Sequence, residues 1–259
     1  MDKGTIVGSI LAAGAILLGL MLEGGKIGQI LQPTAALIVF GGTLGAIMVQ
    51  FPFKVVMNAF SSLVIIFFDS KNDPHGIIQE IVTMAHKASK EGIVSLDKDL
   101  DLMSDPFLKR SVMLAVDGTE PAELRKIMEL EMEKQGEYED DIPRVFESAG
   151  GFSPTIGIIG AILGLIQVMQ HLDNIDEVGR GIAVAFVATV YGVGAANLFL
   201  LPSAGKLKIR IREGQIIHEM MLEGVISILE GMNPRMIETK LLSFLSGMPK
   251  EESDRVASA

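Results

Sequence analysis

The chain has 259 residues, nearly half of them hydrophobic, with no cysteine and a formal net charge of -10. The absence of cysteine excludes a disulfide framework and any thiolate metal site. The acidic balance argues against a nucleic-acid partner, whose phosphates need a basic surface. The four histidines (His75, His86, His171 and His218) are scattered, without the spacing of a metal site.

Four segments are long and apolar enough to cross a membrane, which takes about 20 residues. The first runs from Gly4 to Leu22. It is too long for the apolar core of a cleaved signal and is closely followed by a second span, so it reads as a retained helix. The second runs from Pro33 to Phe51. Lys54 to Lys71 is too apolar for a free loop and reads as an amphipathic helix leaving the membrane. Beyond it, Ile77, Ile78, Ile81, Val82, Met84 and Ala85 have helical spacing, and Gly92 ends or kinks that helix. A further helix is expected after Thr119 as N-cap, with Leu124, Ile127, Met128 and Leu130 on one face and Pro143 as its end. The third span runs from Pro154 to Leu172 and the fourth from Gly181 to Pro202. After it, Leu207 to Leu229 reads as a separate helix, Asn233 and Pro234 interrupt it, and a short helix Arg235 to Leu245 follows. The polar end, residues 247–259, reads as disordered.

None of the spans holds an ionised side chain. Orientation follows from Lys and Arg. The short connections carry only Lys26 and Arg180, whereas the middle segment and the stretch after the fourth span (Lys206, Lys208, Arg210, Arg212) are rich in them. Both termini and the middle segment are therefore expected in the cytoplasm. The fold expected is an all-α membrane protein: a transmembrane hairpin over 1–53, a helical cytoplasmic insert over 54–153, a second hairpin over 154–202, and cytoplasmic helices and tail over 203–259.

Small residues recur every three or four positions along the spans, the pattern that lets helix backbones approach in lipid. In the third and fourth spans, Gly157, Gly160, Gly164, Ala185 and Gly192 read as ordinary bundle packing or as a narrow face for a partner helix or a pore. The acids Glu129, Glu131, Glu133, Glu137, Glu139, Asp140 and Asp141 read as a solvated face, and no catalytic motif is present, so no enzyme is expected.

The third span with PTIGIIGAILGL, the fourth with AVAFVATVYG and LFLLP, and the tail EGQIIHEMMLEGVISILEGMNPRMIETKLLSFL together resemble the MotA family of flagellar motor stator subunits, which includes the sodium-driven PomA. The resemblance implies a homopentamer in the inner membrane around the helices of a MotB-like, peptidoglycan-anchored partner. It also implies contact of the insert with the rotor protein FliG. An aspartate of the partner would carry the ion, and no cofactor is implied. It implies ion-path or gating roles for Pro154, Ala161, Thr189 and Pro202. Sodium-driven relatives carry threonines where this chain has Ala161 and Ala188; a dehydrated sodium ion needs several oxygen ligands, so a proton is the expected ion. For the rotor contact the resemblance points to Lys87, Lys90 and Asp97, although the family's basic position itself falls on Ser89. The related ExbB/TolQ group is the nearest alternative, with three spans expected there, and a passive ion channel is more distant.

Overall fold

The computed structural model describes residues 3–67 and 73–246, and all regular structure among them is helical. The final tail, residues 247–259, and the end of the segment Lys54 to Lys71 lie outside the described residues. The helices are α1 (Lys3–Leu22), α2 (Pro33–Gln50), α3 (Phe53–Phe67), α4 (Pro74–Glu91), α5 (Pro106–Val116), α6 (Pro121–Gln170), α7 (Ile175–Leu229) and α8 (Pro234–Leu245). A 3-10 segment, Ile93–Leu102, joins α4 to α5. Four of the helices are long and apolar enough to cross a membrane: α1, α2, α6 and α7.

Helix starts follow one local rule. Asp73, Asp105 and Asn233 each accept a backbone N–H of the first turn, and each precedes a proline. The side chain satisfies an orphan donor, and the proline occupies the position where its missing N–H costs nothing. Asn174 caps α7 in the same way through Asp176 and Glu177 N–H. Helix α4 ends at Gly92, whose φ of 86° is closed to most other residues. Thr119 does not cap α6. Its N–H bonds back to the Leu114 carbonyl, and the first turn of α6 closes on the Glu120 carbonyl.

Two further boundaries differ from expectation. The helix expected to end at Pro143 continues through Pro143 and Pro154 as a single 50-residue element. The fourth span likewise continues through Pro202 to Leu229. An interior proline costs about 3 kcal/mol. Immediately after Pro143, Val145, Phe146 and Ala149 are buried against Ile47, Val56, Ala59, Ala204 and Leu207. Burying one large apolar side chain contributes about 1.5–3 kcal/mol, so two of them outweigh the proline and hold the chain helical. Arg180, expected in a loop, sits inside α7 because the connection is only residues 171–174.

The chain divides into two compact units, Met1–Ser70 with Glu139–Ile209 and Lys71–Tyr138 with Arg210–Ala259. The insert and tail expected at 54–153 and 203–259 are thus each split. Residues of 54–63, 139–153 and 203–209 share the core just named with the end of α2.

In the first unit α1 is peripheral, and its apolar window has no buried residue. Ala35 and Val39 of α2 pack on Val187 and Ala188 of α7. Helices α2 and α6 run antiparallel: Gly42 lies against Ile156, and the Gln50 Nε2 donates to the Ser148 Oγ at 3.1 Å. The Tyr191 hydroxyl donates to the Ile30 carbonyl and accepts the Gln32 N–H, so α7 holds the turn that precedes α2.

The core of the second unit centres on Ile81, Leu96, Leu108, Leu124, Met128, Met221, Ile226 and Leu241. The expected face of α4 is buried at Ile77, Ile78, Ile81, Met84 and Ala85, while Val82 is only partly buried. On α6, Leu124 and Met128 are fully buried but Leu130 is 55 % exposed and does not belong to the face.

Candidate functional site

The closest backbone approach lies between the spans of α6 and α7. A Cβ on Gly192 would stand 2.5 Å from the Ser153 carbonyl oxygen, 3.1 Å from Gly157 Cα and 3.2 Å from Pro154 Cα. One on Gly157 would stand 2.9 Å from the Ala188 carbonyl, and one on Gly164 2.7 Å from the Gly181 carbonyl and 2.9 Å from the Ala185 N. At Gly160 the obstacles are Ala188 Cβ at 2.8 Å and Ile38 Cγ2 at 3.3 Å. The two spans are therefore in backbone contact over several turns, antiparallel, with α2 on the flank at Gly160.

This corrects one expectation. Gly157, Gly160, Gly164, Ala185 and Gly192 hold the chain's own third and fourth spans together, and Gly160 adds the second. They do not present a free face to another helix. What the pair exposes is bulky. On α6 the side chains of Ile158, Ile159, Ile162, Leu163, Leu165 and Ile166 are exposed, and on α7 those of Phe186, Val190 and Val193.

The ion-path candidates fall on or beside this seam. Pro154 is half-buried against Gly192. It lies deep inside α6, so it is not a first-turn proline. Having no N–H, it leaves the Gly150 carbonyl without its usual donor. A Cβ on Gly150 would meet Leu201 Cδ2 at 2.5 Å, which puts the turn before Pro154 opposite the turn that holds Pro202. Pro202 is exposed and does not end its helix. A π turn, Ala196–Leu200, immediately precedes it, with the Leu201 N–H reaching the Ala196 carbonyl five residues back. The wider turn gives the proline ring room that an α turn would not. Thr189 is half-buried, and its hydroxyl donates to the Ala185 carbonyl at 3.2 Å. Its oxygen keeps acceptor capacity. Ala161 is half-buried on α6 and Ala188 fully buried on α7, and neither supplies an oxygen. No carboxylate or basic side chain occurs at 151–170 or 181–205.

Two polar atoms of this unit stand out, and Ser153 had no sequence signal. Ser153 Oγ and Thr43 Oγ1 are buried without a hydrogen-bond partner, whereas Ser111, Ser227 and Thr189 each bond back to the preceding turn.

In the second unit, Lys90 on the last turn of α4 and Asp97 on the 3-10 segment are exposed. Lys87 is committed to Asp99 through a 2.7 Å ion pair. A stronger cluster, again without a sequence signal, surrounds Glu223. Its side chain is 18 % exposed and takes hydrogen bonds from Arg125 Nη2 at 2.7 Å and from Lys240 Nζ, which also reaches Ser227 Oγ at 3.1 Å. Burial pushes the Glu223 carboxyl up, but the Lys240 and Arg125 hydrogen bonds together hold it below the usual glutamate range. On the exposed side, the Lys109 hydrogen bond lowers the Asp101 carboxyl.

Residues 99–220 match the MotA/TolQ/ExbB proton channel family, and residues 6–92 match the motility protein A N-terminal family. Motility protein A of Bacillus subtilis (strain 168) is 36% identical over 249 residues, covering 95% of this chain and 91% of that one. The chain belongs to the motility protein A family. Among solved structures, the MotAB structure of C. jejuni superposes with a TM-score of 0.90 at 31% identity, covering 96% of this chain and 98% of that one. The flagellar MotAB stator complex from Bacillus subtilis gives 0.87 at 34% identity, covering 100% of both chains. The first match covers both the motility protein A and ExbB/TolQ branches; the N-terminal match and the four long apolar helices separate the two in favour of motility protein A.

Proposed function

We propose that the chain is the membrane subunit of a flagellar stator. Five copies surround the helices of a MotB-like partner, conduct protons down their gradient, and turn that flow into force on the rotor protein FliG. Both termini, α4 and the 3-10 segment lie in the cytoplasm. The likeness to two MotAB structures over nearly the whole chain supports this reading. So does the character of the α6–α7 pair, two spans in backbone contact with no charged group between residues 151–170 or 181–205. An ion crossing there needs a carboxylate from another chain, because an acid within a membrane is costly and kept for such a task.

The proton follows from the oxygen count. Ala161 and Ala188 contribute none, which leaves the Thr189 hydroxyl oxygen, itself hydrogen-bonded to the Ala185 carbonyl, as the one oxygen among these three positions. A proton needs only a carboxylate and water; a bare sodium ion needs a shell of oxygens. The rotor contact is assigned to Lys90 and Asp97, with Lys87 as the brace that fixes the 3-10 segment through Asp99.

Co-purification with a MotB-like partner and a subunit count by native mass measurement test the assembly. A stable monomer indifferent to the partner would overturn it. Swimming speed is expected to collapse with a proton uncoupler and to ignore external sodium, and the reverse pattern would refute proton coupling.

A further inference from the structure

His171 is the first residue after α6, on the short turn to α7. Its Nδ1 lies 3.0 Å from the Gln167 carbonyl oxygen, and its Nε2 lies 3.3 Å from Glu177 Oε2. Both neighbours accept, so a ring N–H is needed on each side. The carbonyl has no proton to give, which fixes Nδ1 as the donor in the neutral and the charged ring alike. Nε2 is therefore the atom that gains and loses a proton. Charged, it donates to Glu177; neutral, it is a free acceptor for water. The His171 and Glu177 side chains are 40 % and 37 % exposed, so water reaches both. The His171 backbone N–H bonds the Val168 carbonyl, and the ring caps Gln167 instead. Capping uses Nδ1 alone and leaves Nε2 without a structural task. Position gives it one. Inward of His171, α6 has no acid, base or histidine until Glu147, and α7 has none between Arg180 and Lys206. Gln167, one turn inward on the same face, is exposed and is the only polar side chain over residues 156–169. Among the described residues Glu177 is the one carboxylate paired with His171. Asp173 on the turn and Asp176 and Arg180 on α7 are exposed, as are Glu23 and Lys26 before α2, and none of them pairs with the ring.

We infer that His171 is the proton-loading residue at the outer mouth of the ion path, with Glu177 as its counter-ion. The inference rests on the proton coupling and the four-span topology proposed above, which put the α6–α7 turn on the outer side. Histidine is the side chain whose charge changes between about pH 5 and 8. An external hydronium gives its proton to Nε2 and becomes water, and the Glu177 carboxylate balances the imidazolium. The proton then leaves Nε2 for a water on the inner side. The neutral ring is restored with its Nδ1–H still on the Gln167 carbonyl, so no ring flip is needed between cycles.

The test uses the full chain with its partner. Nitrogen NMR of the histidine-labelled complex, with the His171 signal assigned by its loss in His171→Gln, is expected to show Nδ1 protonated throughout and Nε2 protonated only on acidification. A neutral ring with its proton on Nε2, or a charge state constant over that pH range, would overturn the inference. Swimming speed is then measured against external pH, with the membrane potential adjusted to hold the total proton-motive force constant. Wild-type speed is expected to rise as the external pH falls. His171→Gln can still cap α6 through its amide, and His171→Lys keeps a positive charge toward Glu177. Both should swim more slowly and lose the pH dependence; should the glutamine variant fail to assemble, the lysine variant decides alone. A wild-type profile in His171→Lys would reduce the residue to a fixed charge, and a wild-type profile in both would reduce it to a helix cap; either overturns the inference. Asp173→Cys, in a chain without other cysteines, is labelled with a membrane-impermeant maleimide from outside. No labelling would sink the topology proposed above and this inference with it, whereas labelling without the pH dependence refutes this inference alone.

Discussion

The backbone contact at Gly192 gives the sharpest prediction. In Gly192→Ala the new methyl would lie 2.5 Å from the Ser153 carbonyl oxygen, about 0.9 Å short of ordinary contact. The three nearest obstacles, in Ser153, Gly157 and Pro154, are all backbone atoms. No rotamer change relieves them, so α6 and α7 must separate. A gap of 0.5–1 Å forfeits roughly a quarter to a half of each contact's attraction, and overpacking of this kind typically costs about 1–3 kcal/mol. The intrinsic helix preference acts in the opposite direction, since alanine is better than glycine in a helix by about 1 kcal/mol.

Gly194, two residues on, isolates that opposing term. A Cβ there meets nothing within 4 Å. Gly194→Ala is therefore expected to be neutral or slightly stabilising. The helix-preference gain is common to both variants and cancels, so they should differ by roughly 1–3 kcal/mol, the overpacking cost alone. Unfolding of the purified complex in graded denaturing detergent measures the difference. Swimming in a strain carrying each variant reports the functional cost, because Gly192 abuts Pro154. Equal stability of the two variants, or Gly192→Ala above wild type, would refute the claim that these spans are in backbone contact.

Combined reversal, Lys90→Glu with Asp97→Lys, is expected to reduce swimming while leaving membrane assembly intact; unchanged motility would sink the rotor assignment. Glu223→Gln keeps the volume but loses the charged partner of Arg125 and Lys240, at a cost of about 1.5–3 kcal/mol. Because the folded Glu223 pKa is depressed, its contribution is present above the ordinary glutamate value of about 4.3 and is lost as pH falls through the lower folded value. The stability gap between wild type and Glu223→Gln should thus narrow on acidification, and a gap that widens would contradict it. Ser153→Ala removes a buried hydroxyl with no partner and is expected to raise stability by about 1 kcal/mol. A loss of stability would mean that the hydroxyl has a partner in the assembled protein.

Much of this architecture was legible. The spans stand out by apolar length, and the Asp-Pro and Asn-Pro steps at 73, 105 and 233 mark helix starts by a purely local mechanism. The face of α4 was legible because Ile77, Ile78, Ile81, Met84 and Ala85 on one side of it are buried. The glycine positions of the third and fourth spans were legible as close-packing points, but not which helix they meet. Small residues at three- and four-residue spacing fit the chain's own neighbour and a foreign helix equally, and only the distances at Gly157, Gly164 and Gly192 decide. Ser153 and Glu223 gave no signal because their significance lies in partners far along the chain, or in having none. The pairing of Lys87 with Asp99 was invisible for the same reason: it depends on the fold-back at Gly92.

The prolines show most clearly where local reasoning stops. A proline inside a helix always costs a hydrogen bond, and the outcome depends on what the surroundings offer in return. At Pro143 the return is the burial of Val145 and Phe146, and the helix continues. At Pro202 it is a π turn that makes room for the ring. At Pro154 neither is present. The Gly150 carbonyl loses its donor, Ser153 Oγ is unpaired, and Gly192 presses directly on the backbone. Of the three, this turn is the least compensated locally and the most constrained by its neighbour. A bend in α6 at this point would act directly on the α7 backbone at Gly192. The gating role that the family resemblance implies for Pro154 would therefore fall on a pair, the proline of one span and the glycine of the other.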